Sequence, residues 1–186
     1  MKKVITIVLM LALAGCWEPD SEEVVVLAGD SIAEQATRDI NFSLLRKDNA
    51  PMVVNNAIGG APLKSTVYGC GRLNAMHELL TSPPDSIILS AGTNDALFNG
   101  GQGTGTFPAD INTIMNCVDP TTTVYWVTPH ISPSYTQHVF TAANTWPNIV
   151  PVDFTPTPMQ LQPDGIHLNT AGNAALVARL ELEMQP

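Results

Sequence analysis

The chain has 186 residues, of which 45% are hydrophobic and 13% are charged. This composition suits one compact domain and excludes wholesale disorder. The 8 Lys and Arg residues against 17 Asp and Glu residues give a formal net charge of -9. A chain this acidic lacks the clustered cations that nucleic acids and anionic lipid surfaces require, so no nucleic-acid partner is expected.

Residues 1–15 have the pattern of a secretory signal peptide. Two lysines precede an apolar run over 4–14, in which Thr6 is the one polar residue and which is too short to cross a bilayer as a helix. The run leads into Leu-Ala-Gly-Cys at 13–16, which resembles the lipobox of bacterial lipoproteins. That resemblance implies lipidation of Cys16 as the new N-terminus. The alternative is an ordinary signal peptide that happens to contain a cysteine.

The predicted organisation is a signal peptide (1–15), a lipidated Cys16 with a short acidic tether (16–23) and one domain (24–186). An Asp directly after the lipidated cysteine tends to retain Gram-negative lipoproteins in the inner membrane, so Trp17 favours the outer membrane. We therefore expect a protein of the bacterial cell envelope that faces the periplasm or the cell surface. It would be held by its lipid, with no transmembrane span in the mature chain.

Cys70 and Cys117 are the other two cysteines. An oxidising envelope favours a disulfide between them, and two separate buried thiols are the alternative. A metal site is not expected, because no CxxC or HxxxH spacing occurs.

Strand-like and helix-like segments alternate along the rest of the chain. Short apolar runs without polar alternation predict strands that are buried on both faces, and they lie at 24–27, 52–54, 86–90, 123–128 and 149–152. Helical patterns are predicted from Ser31 to Leu44, within 63–80, from about 106 to 117 and from about 170. The glycine-rich stretch 99–106 is predicted to be a loop. This alternation predicts a parallel sheet covered by helices on both sides.

Functional residues of such sheets gather at the carboxyl ends of the strands. Ser31 follows the first strand and is either a helix cap or a nucleophile at a helix N-terminus. The pair Gly59-Gly60 follows the second strand, and Asn94 follows the third. These residues form plain turns, or they supply amide donors for a developing oxyanion.

Asp164 and His167 precede the last predicted helix. Their spacing can bring the carboxylate to the imidazole Nδ1, which would fix the tautomer and leave Nε2 free to act as a base. A solvated surface histidine is the alternative interpretation.

Four blocks occur in order at the ends of predicted strands: Gly29-Asp30-Ser31, the glycines after strand two, Gly92-Thr93-Asn94-Asp95 and Asp164-Gly165-Ile166-His167. Together they resemble the SGNH hydrolases, also called GDSL esterases and lipases. The resemblance implies a flavodoxin-like three-layer α/β/α sandwich around a five-stranded parallel sheet. It also implies that Ser31 is the nucleophile, His167 the general base and Asp164 the residue that orients it. The oxyanion hole would comprise the Ser31 amide, Gly60 and Asn94, with Gly59 as the alternative glycine.

The activity implied by the resemblance is hydrolysis of carboxylic esters through an acyl-enzyme, without metal or organic cofactor. The substrate would be a small-molecule, glycan or lipid ester. A chain of this length has no room for a large lid, and a shallow site favours short acyl groups. Two alternatives stay open: a non-catalytic envelope protein on the same scaffold, in which Ser31 only caps a helix, and an acyltransferase that uses the same triad.

Overall fold

The computed structural model describes residues 23–44, 51–63, 82–98 and 106–185. Five strands form a single sheet with the order β2-β1-β3-β4-β5, and all neighbouring strands are parallel. The strands are β1 (Val24–Gly29), β2 (Met52–Ala57), β3 (Ser86–Ser90), β4 (Thr123–Val127) and β5 (Ile149–Val152). The predicted five-stranded parallel sheet is therefore confirmed.

Helices cover both faces of this sheet. Among the described residues they are α1 (Ser31–Leu44), α2 (Thr93–Phe98), α3 (Phe107–Met115), α4 (Pro133–Ala143) and α5 (Thr170–Glu183), with one short 3₁₀ helix at Pro158–Gln160. Helices α1 and α5 pack against each other on one face, and α3 and α4 pack on the other. This is the three-layer α/β/α sandwich that the sequence predicted.

The two apolar cores follow from the alternation of side chains along buried strands. On β1, Val26 and Ala28 face the α3/α4 layer, whereas Val25 and Leu27 face the α1/α5 layer. All four side chains are buried, as the absence of polar alternation predicted. Each large aliphatic side chain buried in this way contributes about 1.5–3 kcal/mol relative to an exposed one.

One helix differs from the sequence-based expectation. The block after β3 reads as a turn, yet α2 begins at Thr93, and its first four residues are buried. The polar connection after β4, where the sequence allows one helix, contains α4, whose start is consistent with Pro133 in the first turn, where a missing N–H costs nothing. The segment 63–80 and the loop 99–106 fall almost entirely outside the described residues.

The predicted signal peptide, Cys16, the tether up to residue 22 and Cys70 also lie outside the described residues. Cys117, at the end of α3, is disulfide-bonded. Its predicted pairing with Cys70 stays a prediction. Among the described residues, no helix has both the length and the apolar character needed to cross a membrane.

Candidate active site

The turn from β1 into α1 fixes the direction of the Ser31 side chain. Asp30 is the N-cap of α1: its carbonyl accepts from the Glu34 amide at 3.0 Å, and its Oδ1 accepts from the Ile32 amide at 3.0 Å. The capping role considered for Ser31 is thus held by its neighbour. Ser31, the first residue of the helix, keeps its hydroxyl for other contacts.

Gly29 makes this turn possible. Its φ is +132°, and a Cβ at this position would lie 1.9 Å from the Ser90 carbonyl oxygen on β3. Any other residue would clash with backbone that the sheet holds in place. The Asp30 amide donates to the same Ser90 carbonyl at 2.8 Å. The close approach of β1 and β3 therefore determines where Ser31 stands.

A hydrogen-bonded chain links the three residues that the sequence singled out. The Ser31 Oγ lies 3.0 Å from the His167 Nε2, and the His167 Nδ1 lies 2.6 Å from the Asp164 Oδ2. The side chains of His167 and Asp164 keep 28% and 42% of their surface exposed. The chain of contacts is therefore open to solvent and to a reactant.

The loop that carries His167 is held by its own backbone. Leu161 and Leu168 form an isolated antiparallel bridge, and the Gln162 amide donates to the His167 carbonyl at 2.7 Å. The Gln162 side chain donates to the Leu168 carbonyl at 3.0 Å. Sequence patterns gave no signal for Gln162, because its role depends on a pairing that only the folded loop creates.

Asp164 holds both the loop and the imidazole. Its Oδ1 accepts from the amides of Ile166 and His167 at 2.9 and 3.0 Å, which leaves Oδ2 for the ring. The hydrogen bond from the His167 side chain, helped by the two amides, lowers the pKa of Asp164 to about 2. The carboxylate therefore stays ionised at any pH where the protein would function.

The loop after β2 and the N-terminal turn of α2 meet beside Ser31. The Asn94 Nδ2 donates to the Ala61 carbonyl at 3.3 Å, and the Asp95 Oδ2 accepts from the Leu63 amide at 2.8 Å. A primary amide has two N–H groups, so the contact with Ala61 leaves one Asn94 donor. Asn94 and Asp95, two successive residues of α2, thus hold the segment that follows Gly60 through hydrogen bonds.

Gly59 and Gly60 have different environments. Gly60 has a φ of +75°, and a Cβ there would have no neighbour within 4 Å. A Cβ on Gly59 would lie 2.5 Å from the Glu34 carboxylate and 3.9 Å from the Ser31 Cβ. Gly59 is therefore packed against α1, whereas Gly60 is open and has the left-handed backbone that glycine favours.

Asp30 is fully buried beneath the nucleophile turn. Burial raises the pKa of its carboxyl to about 6, and the nearby charge of Asp95 acts in the same direction. Hydrogen bonds with Ile32, Ser90 and Thr93 oppose this rise. The Oδ2 atom is shielded from solvent and accepts no hydrogen bond from the described residues. A buried carboxyl group whose ionisation is unfavourable therefore lies directly behind Ser31.

His130, in the loop after β4, lies near the same site. Burial lowers its pKa, the His167 ring acts in the same direction, and a contact with the Ile166 backbone opposes both. A neutral His130 ring does not repel the positive charge that His167 would carry as an imidazolium. In the part of the chain that the structure describes, no three His, Cys, Asp or Glu side chains converge in a way that could hold a metal ion.

Comparisons with known proteins identify the fold. No family model and no curated protein matches the sequence. Esterase EstA from Pseudoalteromonas, solved with monoethylphosphonate, is 13% identical with a TM-score of 0.66, and the match covers 88% of this chain and 97% of EstA. The catalytic domain of the Streptococcus pneumoniae peptidoglycan O-acetyltransferase A is 16% identical with a TM-score of 0.65, covering 88% and 93%.

A family 3 carbohydrate esterase from Clostridium thermocellum is also 16% identical, with a TM-score of 0.64 and coverage of 87% and 94%. Other matched structures carry the names SGNH hydrolase and GDSL-like lipase. The chain therefore has the α/β fold of the SGNH hydrolases, across nearly the whole length of these proteins.

Proposed function

We propose that this chain is an SGNH-type serine esterase that hydrolyses short-acyl esters through an acyl-enzyme. The observation that carries the proposal is the continuous chain of contacts from the Ser31 hydroxyl through His167 to Asp164. A serine hydroxyl becomes nucleophilic only when a base takes its proton, and His167 Nε2 is within reach to do so. The similarity of fold to esterases and an acetyltransferase supports the same chemistry.

In the first half of the reaction, Ser31 Oγ attacks the ester carbonyl carbon while His167 takes the hydroxyl proton. The imidazolium then gives this proton to the alcohol oxygen as the ester C–O bond breaks, and an acyl-Ser31 ester forms. Asp164 stays ionised and stabilises the positive charge on the ring. In the second half, His167 takes a proton from water as the water oxygen adds to the acyl carbon. The bond between the acyl carbon and Ser31 Oγ then breaks, Oγ takes the proton back from His167, and the carboxylic acid leaves.

The tetrahedral intermediate carries a negative oxygen that needs donors already in place. We assign this role to the Ser31 amide, the Gly60 amide and the free N–H of Asn94. The open space above Gly60 and the packed surroundings of Gly59 favour Gly60 of the adjacent pair. The contacts of Asn94 and Asp95 with the loop after β2 would keep the three donors in register.

An activity-based probe tests this proposal. A fluorophosphonate should label the wild-type protein, and label should be absent from Ser31→Ala and His167→Ala. Ser134→Ala is the matched control, since Ser134 is an exposed serine on α4, and it should be labelled like the wild type. If Ser31→Ala retains the label, the proposed nucleophile is wrong. If the wild-type protein takes no label and cleaves no p-nitrophenyl ester, the non-catalytic alternative is correct.

Chain-length preference and acceptor use refine the activity. Rates across p-nitrophenyl esters should be highest for acetate and propionate, because the exposed triad offers little enclosed space for a long acyl chain. An optimum at long chains would contradict the short-acyl assignment. Acyl transfer would show as an ester of an added alcohol or sugar among the products, in place of free acid.

We further propose that the protein is anchored in the cell envelope through lipid on Cys16. The support is the apolar run and the Leu-Ala-Gly-Cys sequence at 13–16. The full-length protein should fractionate with membranes and incorporate labelled palmitate, and Cys16→Ser should lose both properties. Palmitate incorporation that persists in Cys16→Ser would contradict the proposed site.

A further inference from the structure

A polar groove with a volume of about 560 Å³ lies between α1 and the start of α5. We call it the amide groove. Its polar lining consists of Gln35 and Arg38 from α1, Gln162 and Asn169 from the segment around His167, and Thr170 and Asn173 from α5. Leu168, itself buried, completes the wall. None of the described residues that line this groove is a carboxylate, although the chain as a whole has a net charge of -9.

Two residues that line the amide groove follow Ser31 along α1. Ser31, Gln35 and Arg38 are spaced i, i+4 and i+7, so they share one face of α1. Gln35 and Arg38 therefore stand about 6 and 10 Å along the helix axis from the nucleophile. On the opposite wall, Leu168 and Asn169 directly follow His167. A molecule bound at Ser31 through an ester could extend along α1 into the groove.

The walls of the amide groove are fixed before any ligand arrives. Asn169 caps α5 through the amides of Ala171 and Gly172, and its Nδ2 donates to two carbonyls of the preceding loop. The Gln162 side chain donates to the Leu168 carbonyl at 3.0 Å and to the Gln35 Oε1 at 3.4 Å. These residues set the shape of the groove, and their own polar atoms are largely used.

Asn173 differs from these wall residues. Its Oδ1 is shielded from solvent and accepts no hydrogen bond from the described residues. A buried acceptor without a partner costs free energy, and a rotation of the side chain that turned this oxygen toward the groove would let it accept from a ligand hydroxyl. Gln35 and Arg38 lie across the groove and add amide and guanidinium donors, of which the Arg38 Nε already lies 3.4 Å from the Asp39 carboxylate. The groove therefore offers mixed donors and acceptors without a cluster of charge.

We infer that the amide groove binds the sugar portion of an esterified carbohydrate, which places the scissile ester at Ser31. Neutral polyols present alternating O–H donors and oxygen acceptors, and carboxamides match both. A lipid alcohol would need an apolar wall, and Leu168 alone does not provide one. A phosphorylated ligand would need more than one cation. This inference rests on the proposed function and names its substrate class.

Substrate preference tests the inference. The wild-type protein would be assayed on p-nitrophenyl acetate, on ethyl acetate and on O-acetylated xylo-, manno- and chito-tetraose. At least one acetylated oligosaccharide should have a kcat/KM above that of ethyl acetate. The corresponding unacetylated tetraose should inhibit hydrolysis of p-nitrophenyl acetate competitively.

Gln35→Ala and Asn173→Ala should each lower the preference for the sugar ester over p-nitrophenyl acetate about two- to tenfold, mainly through KM, as expected for one lost hydrogen bond. Gln137→Ala, on exposed surface of α4, should leave the preference unchanged. General damage to the fold would lower both activities together and leave their ratio intact.

Two results would overturn the inference while the proposed esterase stands. One is hydrolysis of p-nitrophenyl acetate with no acetylated oligosaccharide better than ethyl acetate. The other is a sugar preference that Gln35→Ala and Asn173→Ala reduce no more than Gln137→Ala does. Absence of all esterase activity in the wild-type protein would instead refute the proposed function.

Discussion

Replacing Asp30 by Asn should change how the stability of the protein depends on pH. In the native state the pKa of this carboxyl is raised from 3.8 to about 6, mainly by burial. Between these two pH values the folded protein holds a proton that the unfolded chain has released. The free energy of unfolding therefore falls as pH rises from about 4 to about 6 and is level above that.

The size of this effect follows from the shift. Each pKa unit corresponds to about 1.4 kcal/mol, so a rise of roughly two units costs the native state about 3 kcal/mol at pH 7. Asn keeps an Oδ1 acceptor for the Ile32 amide but carries no charge. The free energy of unfolding of Asp30→Asn relative to wild type should therefore increase by about 3 kcal/mol between pH 4 and pH 7.

Urea denaturation at unit steps from pH 4 to pH 8 measures this difference directly. The Asn Nδ2 would occupy the unpartnered Oδ2 position, and its cost shifts the variant by an amount that does not depend on pH. Asp153→Asn removes an exposed carboxylate and should leave the difference nearly constant. A stability difference for Asp30→Asn that is flat from pH 4 to pH 8 would refute the argument from burial.

Three further substitutions test the assigned geometry. Asn94→Ala should lower kcat about 10²- to 10³-fold with little change in KM, because a donor to the oxyanion acts in the transition state. A change in KM as large as the change in kcat would instead indicate that Asn94 binds the substrate in the ground state. Asp164→Asn should lower kcat about 10³- to 10⁴-fold at every pH from 5 to 9, since the wild-type pKa of about 2 keeps the carboxylate ionised throughout; recovery at high pH would contradict this. Gly29→Ala should destabilise the protein by at least about 3 kcal/mol, because the alanine Cβ would lie 1.9 Å from the Ser90 carbonyl oxygen. An unchanged melting temperature would be inconsistent with that contact.

Residues that act through short-range spacing could be found from the sequence. Asp164 and His167 lie on one turn, and Ser31 follows directly after a buried strand, so the sheet topology brings all three to one edge. The fold was equally accessible, because β-branched runs without polar alternation indicate strands buried on both faces. In each case the information lies within a few consecutive residues.

The helix α2 and the groove could not be found in this way. The block Gly92-Thr93-Asn94-Asp95 has turn-forming residues, and the helix forms because burial against the sheet outweighs their weak local preference. The buried carboxyl of Asp30 forms hydrogen bonds with Ser90 and Thr93, some sixty residues away in the sequence. Gln35 and Asn173 lie on different helices, and only tertiary packing brings them to one groove.

Two groups near the proposed site lower the stability of the protein. Asp30 is a buried carboxyl directly behind Ser31, and the Asn173 Oδ1 accepts no hydrogen bond from the described residues. Neither is needed to close the apolar cores on the two faces of the sheet. Features of this kind persist where they position reacting groups or await a ligand. This distribution links the catalytic assignment of Ser31 to the ligand assignment of the amide groove.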